Sequence, residues 1–500
     1  VSELVKHSAL FAIATLMSRL LGLVRDATFA HYFGRSSQYD AYLIAIMLPF
    51  FLRRVFAEGA LSSTFIPLFT QKKDTEGQKF FSTSFWLMLF VTSALYIPVF
   101  FFSDQISFIL GTGFNAETLE LTSFLMKFTY PFIVFISLWA LVSGVLNVEN
   151  SFFIPAIAPA ISNITTIIGI FLSFVFLPKI LGPTIGFTFG GLFQLIFVYF
   201  FMRKRKYKIT FEYDRKYVKE ILSLFGPSLL GVAVSTLNTV IDTNVATWTG
   251  SGGVATIQYA LRLYQLPLGI FAVSVANSLL PKLAKAFKDN DRESYRKNVK
   301  ESVESMMFFT VPSTIGLILL NEEIIGLVFQ HGNFTYSDTV ITAKVLAYYS
   351  VGLPAYSLHQ IFTRTFHSRL NTKTPSYISL VMLIVNGALD IILAKYMGVA
   401  GIAIATSVSG FVGMILTGYT SFKTFTSKDI LENLKIISAG LVMGLFIVLV
   451  KDLYSSRLFT VLIVFASVII YFIFSYIFKI ENAAIYAGMI KNKFIKKRLP

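Results

Sequence analysis

Apolar runs of membrane-crossing length alternate with short polar connectors along all 500 residues. A spanning helix needs roughly 20 mostly apolar residues. That ruler predicts fourteen segments, at about 8–33, 41–70, 80–103, 119–147, 153–177, 182–202, 219–247, 254–287, 301–321, 338–368, 375–396, 399–422, 432–452 and 457–479. Several exceed the bilayer thickness, so they tilt, bend or extend into water.

Composition agrees. Hydrophobic residues make up 55% of the chain and charged residues 14%, with a mean hydropathy of +0.68. A soluble domain carries about 25% charged residues. The expected class is an all-α polytopic membrane protein. Cysteine is absent, which removes disulfides, thiolate catalysis and Cys-based metal sites. The first run contains Arg19 and Arg25 and no small-residue cleavage site, so it is expected to be a retained helix.

The net charge of +16 changes the picture only through its placement. With the N-terminus in the cytoplasm, and residues at helix ends counted with the adjoining connector, 31 of the 43 Lys and Arg are cytoplasmic and 5 face outward. That asymmetry is the positive-inside pattern. "RKRKYK" at Arg203–Lys208 and "KLAKAFKDNDRESYRKNVK" at Lys282–Lys300 dominate it. They read as topology determinants near anionic lipid, not as a nucleic-acid surface.

The chain also repeats itself. "LVRDATFAHYFG" (Leu23–Gly34) resembles "TVIDTNVATWTG" (Thr239–Gly250), with Asp26/Asp242 and Gly34/Gly250 both 216 apart. Leu-Pro follows in each half, at Pro49 and Pro267, and "GTGF" at Gly111 matches "HGNF" at His331. Two parallel six-helix lobes around a central cavity are expected. The expected boundaries are 1–205 for the first lobe, 206–218 for a basic linker, 219–425 for the second lobe and 426–500 for two added helices with a basic tail.

Seven basic residues lie six or more residues from either end of a predicted helix: Arg19, Arg25, Arg53, Arg54, Lys127, Arg262 and Lys344. Snorkelling accounts for Lys127 and Lys344, about two turns from outer helix ends. An arginine at mid-helix costs about 2.5–3.5 kcal/mol on the translocon scale, so the arginines are expected to face a watery cavity. Arg54 and Glu58, four apart, form an expected structural ion pair. Asp26, Asp40 and Glu58 leave two of five arginines without a counter-charge, which points to an anionic substrate. Guanidinium suits it, since its planar fork binds phosphate bidentately. Arg19, Arg25, Arg53 and Arg262 are the expected binding residues. A bend near Gly22 would aim both Arg19 and Arg25 inward. The alternative is a self-satisfied ion network.

Asp242, Asp390 and Thr406 sit at similar predicted depth, and Asn386 shares a face with Asp390. These all-oxygen groups suit sodium, with a proton shared between the two aspartates as the competitor. Plain interhelical hydrogen bonding is the other alternative. No P-loop, GxSxG or HExxH motif occurs, so no nucleotide-driven pump is expected. His359 and His367 alone do not make a metal site. No cofactor beyond a bound sodium ion is expected.

"SRLLGLVRD" (Ser18–Asp26), "LRRVFAEGALSSTFIP" (Leu52–Pro67), "FQHGNFTYSD" (Phe329–Asp338), "YSVGLPAYS" (Tyr349–Ser357) and "FHSRLNTKTP" (Phe366–Pro375) resemble the MurJ (MviN) family of lipid II flippases. The resemblance covers essentially the whole chain. It implies the MOP exporter fold and transfer of a polyprenyl-diphosphate peptidoglycan precursor across the bacterial plasma membrane, with both termini cytoplasmic. It implies cavity roles for Arg19, Arg25, Arg53 and Arg262, and importance for Asp40 ahead of the second helix. It also implies a groove for the lipid tail at helices 13 and 14. Phe50 departs from the polar residue common at that point in the family. The expected partners are lipid II and membrane lipids, with a monomeric chain and no nucleic acid. Rival readings are a multidrug/cation antiporter or polysaccharide-unit flippase of the same architecture, a membrane enzyme acting on lipid-linked sugars, and a non-transporting scaffold. A positive cavity disfavours cationic drugs, and the short outward connectors lack a catalytic cluster.

Overall fold

The computed structural model describes residues 3–54, 64–205, 207–269, 273–422, 425–453, 456–486 and 488. Among these residues all regular structure is helical. Nine helical stretches among them are long and apolar enough to cross a membrane. The chain forms two compact units, residues 1–255 with 331–334, and 256–330 with 335–500.

The first unit contains α1 (Glu3–Phe33), α2 (Ser37–Arg53), α3 (Ile66–Lys72), α4 (Gly77–Phe101), α5 (Ser103–Leu110), α6 (Ala116–Thr129), α7 (Pro131–Val148), α8 (Phe153–Ile157), α9 (Pro159–Phe171), α10 (Leu181–Arg203) and α11 (Arg215–Thr247), and it reaches the first turn of α12 (Gly253–Pro267). Its predicted span 119–147 is interrupted at Pro131, which has no N–H to give the Lys127 carbonyl four residues back. The Tyr96 hydroxyl donates to that carbonyl instead, at 3.1 Å. Stacked Phe65, Phe69 and Phe80 pack the interior, with Tyr217 edge-on to Phe80.

The linker expected at 206–218 is laced to α4. Gln78 Oε1 accepts from the Lys208 N–H, Trp86 Nε1 donates to the Thr210 carbonyl, and the Asp214 N–H donates to Thr83 Oγ1. Asp214 caps α11 through the Lys216 N–H and meets Lys79 Nζ at 2.9 Å. The Lys79 ammonium and then the Lys216 N–H hold its carboxyl below the ordinary aspartate range.

Two loops matched by the repeat are used alike. In 331–334, the Asn333 N–H donates to the His31 carbonyl at 2.8 Å, and its side-chain amide to the Tyr32 carbonyl at 2.6 Å. In 111–114, the Gly113 N–H donates to Thr247 Oγ1 at 2.9 Å, and Trp248 Nε1 to Thr112 Oγ1 at 2.7 Å. Each loop thus closes on the C-terminal end of α1 or α11, the first through carbonyls that lack intrahelical partners and the second through the Thr247 and Trp248 side chains. Gly34 and Gly332 both adopt a φ of +56°, and a Cβ on Gly34 would sit 2.4 Å from the Asn333 carbonyl oxygen.

The second unit contains the rest of α12, then α13 (Val273–Lys288), α14 (Arg292–Leu319), α15 (Asn321–Phe329), α16 (Tyr336–Val351), α17 (Leu353–His367), α18 (Lys373–Met397), α19 (Val399–Phe422), α20 (Ser427–Val450) and α21 (Arg457–Ile477). α14 begins nine residues before the expected 301, because Asp291 caps it by accepting from the Ser294 N–H. The predicted span 338–368 divides at Gly352 into α16 and α17. α19 is tied to its neighbours by Ser407 Oγ on the Tyr348 carbonyl and Ser409 Oγ on the Met382 carbonyl. α20 and α21 pack on α14 around Phe308, Met443, Ile447 and Tyr471. At one end of this bundle Lys300 meets Asp429 at 3.2 Å, Lys435 meets Glu432 at 2.8 Å, and Glu432 accepts from the Glu481 N–H.

Candidate functional site

α1 runs unbroken through Gly22, with Arg19 and Arg25 on different faces, so no helix break brings the two together. Arg19 is exposed, and among the described residues no carboxylate pairs with it. Arg25 is half-buried and already neutralised. Its Nε and Nη2 donate to Asp26 Oδ1 at 2.9 and 2.6 Å, and its Nη1 to Asn163 Oδ1 at 3.1 Å. Asn163 Nδ2 in turn donates to the Ser18 carbonyl at 3.2 Å, so one side chain of α9 ties down both the helix and its guanidinium. Asn163 was absent from the sequence-derived set. Its signal is an amide within the apolar run of α9, the usual mark of a polar bridge between helices.

Arg53 ends α2, half-buried, with Cζ 5.9 Å from the Phe50 ring centroid. Phe50 packs on Phe132 and Phe187, so aromatic contact occupies the point where the resemblance implied a polar residue. Arg54 is exposed, whereas Glu58 and the expected Arg54–Glu58 pair lie outside the described residues. Asp40 lies in the first turn of α2, behind the Ser36 cap, not ahead of the helix. It is fully buried, and its two carboxylate oxygens accept from the Gly252 and Ala255 N–H groups at 2.6 and 2.7 Å. Those donors open α12, and a carboxylate there is favoured by the helix dipole. Asp242 of α11 is buried, with Asn238 Nδ2 3.4 Å from its Oδ2.

In the second unit Arg262 is half-buried on α12. Asn386 and Asp390 of α18 are brought together, with Nδ2 donating to Oδ2 at 2.7 Å and both side chains fully buried. Thr406 of α19 is buried, and its hydroxyl has no hydrogen-bond partner among the described residues. A buried, unsatisfied oxygen is costly, and an all-oxygen donor set fits a hard cation. Among the described residues no group of three or more His, Asp or Glu side chains is arranged to hold a metal.

The second unit also holds an apolar cavity of about 330 Å³ between α14, α20 and α21, lined by Phe308, Pro312, Gly316, Met443, Val464 and Tyr471 among others. Pro312 cannot donate to the Phe308 carbonyl four residues back. The Tyr471 hydroxyl donates to it at 2.8 Å, the same solution that Tyr96 provides in the first unit. This tyrosine–carbonyl link also was not anticipated, since neither residue is unusual in a membrane helix.

The family model described as lipid II flippase MurJ matches residues 29–477. The chain belongs to the MurJ lipid II flippase family. The resemblance carried by its motifs is therefore borne out. The lipid II flippase MurJ of Thermosipho africanus is 41% identical over 94% of this chain and 96% of its own. The probable lipid II flippase MurJ of Thermotoga maritima is 36% identical over 96% and 97%. A solved MurJ structure described as inward closed matches with a TM-score of 0.83 at 41% identity, over 94% of this chain and 98% of that one. An inward-facing multidrug MATE transporter of the MOP superfamily matches with a TM-score of 0.69 at 15% identity, over 83% and 97%, and shows the shared fold alone. The all-α, polytopic architecture expected from the sequence thus stands with its MurJ relatives.

Proposed function

We propose that this chain flips lipid II, the polyprenyl-diphosphate peptidoglycan precursor, from the inner to the outer leaflet of the bacterial plasma membrane. The match to MurJ flippases over nearly its full length carries this reading. The sequence-defined lobes 1–205 and 219–425 alternate access to a cationic cavity, with both termini cytoplasmic. Arg19, Arg53 and Arg262 receive the diphosphate and its sugar-peptide head. Arg25, held by Asp26 and Asn163, contributes a fixed guanidinium to the wall. Asp40 acts by fixing the start of α12. The apolar cavity at α14, α20 and α21 takes part of the tail.

Moving net charge is worth about 2.3 kcal/mol per charge per 100 mV, so the membrane potential biases the cycle. A sodium ion held by Asn386, Asp390 and Thr406 resets it. A shared proton is the competing coupling. The chain works as a transporter and not an enzyme, without nucleic acid and as a monomer. Vesicle flipping of purified lipid II, with potential and sodium varied independently, tests the reading. Full activity in Arg19→Ala, Arg53→Ala and Arg262→Ala alike would remove the cavity assignment. Against the multidrug antiporter stands the cationic character of the same arginines, which repels cationic drugs.

A further inference from the structure

A second groove lies in the first unit, and no arginine of α1 or α2 lines it. It has a volume of about 610 Å³ and opens where α4 ends and α10 begins, beside the α6–α7 break. Phe100, Phe124, Phe128 and Phe189 supply aromatic walls, and all four are exposed. Exposed phenylalanine on a spanning helix suits contact with lipid chains. Among these walls stands one cation, Lys127, eleven residues into α6 and about 16 Å from its first residue. Its Nζ lies 5.8 Å from the Phe100 ring centroid, and among the described residues no carboxylate pairs with it. Glu120, seven residues back on the same face, is about 10 Å along the helix, beyond ion-pair distance.

The frame of this groove is fixed. Tyr96 holds the Lys127 carbonyl left without a donor by Pro131, and Thr188 Oγ1 donates to the Phe128 carbonyl at 2.6 Å. Side chains of α4 and α10 therefore pin the stretch of α6 that carries the lysine. Snorkelling explains how Lys127 reaches the interface. It does not explain a pinned, phenylalanine-walled groove around the ammonium. An apolar groove around one cation that no described carboxylate neutralises is complementary to an acyl chain and one phosphate.

We propose that this groove seats one anionic phospholipid, its phosphate on Lys127 and one acyl chain along the phenylalanine walls. None of its lining residues is assigned to the flipping path, and the proposal does not depend on that assignment. Anionic rather than zwitterionic lipid is specified, because no carboxylate among the described residues neutralises Lys127 and a choline or ethanolamine would add a second cation.

The test uses the full chain in phosphatidylcholine nanodiscs containing a small fraction of phosphatidylglycerol with a photoactivatable acyl chain, followed by peptide mapping. Labelling is expected on the stretches around residues 96–100, 124–135 and 185–189. Lys127→Gln is expected to lower it about fivefold, the effect of one lysine near a membrane surface, whereas Lys127→Arg retains it. Both variants are first matched to the parent in melting temperature, and arginine keeps the comparison available if glutamine misfolds. Equal labelling by a phosphatidylcholine probe would overturn the proposal, as would undiminished labelling in Lys127→Gln or equal loss in Lys127→Arg. Displacement by polyprenyl diphosphate but not by phosphatidylglycerol would also overturn it, since the groove would then belong to the substrate.

Discussion

Asn333 holds the end of α1 by two hydrogen bonds, from its backbone N–H to the His31 carbonyl and from its side-chain amide to the Tyr32 carbonyl. The residue comes from a loop three hundred positions away, and Gly34 leaves room for it. Asn333→Ala removes only the side-chain bond and is expected to cost about 1 kcal/mol. Gly34→Ala adds a Cβ at a φ of +56° within 2.4 Å of the Asn333 oxygen, so it is expected to cost more, about 1–3 kcal/mol for the backbone alone. Melting temperatures in detergent check this order, and a milder Gly34→Ala would contradict the close approach.

Arg25 and Asp26 form an almost dry pair, with 14% and 1% of their side chains exposed. Asp26→Asn leaves the guanidinium without its anion and is expected to cost about 3–5 kcal/mol. Arg25→Leu with Asp26→Leu is expected to regain most of that stability without regaining flipping. The cycle separates two roles that a single Arg25→Ala variant confounds, and a double variant that flips normally would make Arg25 purely structural.

Pro312 and Tyr471 depend on each other. Tyr471→Phe leaves the Phe308 carbonyl without its hydroxyl donor and is expected to cost about 1 kcal/mol or more. Adding Pro312→Ala restores an N–H four residues on, so the double variant is expected to lose less than the sum of the singles. Additive losses in thermal melts would show that the carbonyl finds another donor.

Asp40 serves two backbone N–H groups. Asp40→Ala frees both, with an expected loss of about 0.5–2 kcal/mol typical of an N-terminal cap. Asp40→Asn keeps an acceptor oxygen and is expected to fall between the alanine variant and the parent. If Asp40→Asn abolishes flipping at unchanged melting temperature, the charge acts in transport rather than in holding α12.

Thr406→Val removes a buried hydroxyl that has no hydrogen-bond partner among the described residues, at little structural cost. With the proposed cation site, it is expected to weaken the sodium dependence of flipping while leaving the fold stable. Asp390→Asn is expected to weaken it further. Unchanged sodium and pH dependence in both variants would exclude coupling there.

The sequence alone carried the helical class, the membrane setting, the repeat and the family. These depend on the lengths of apolar runs and on motifs read along the chain, and hydrocarbon permits little besides helix at such lengths. Costly charges were legible too, because an arginine among apolar residues stands out wherever its partners lie. Their partners were not legible. Asn163 reaches Arg25 across 138 positions, and Asp40 reaches Gly252 across 212. The expectation for Asp40 came from resemblance, while its two backbone donors came only from folding. Likewise Pro131 and Pro312 mark helix breaks in any reading, but which hydroxyl takes the freed carbonyl depends on a tyrosine from another helix. Local pattern fixes what each segment must bury. Tertiary packing decides which distant group meets each buried charge and each carbonyl a proline leaves behind.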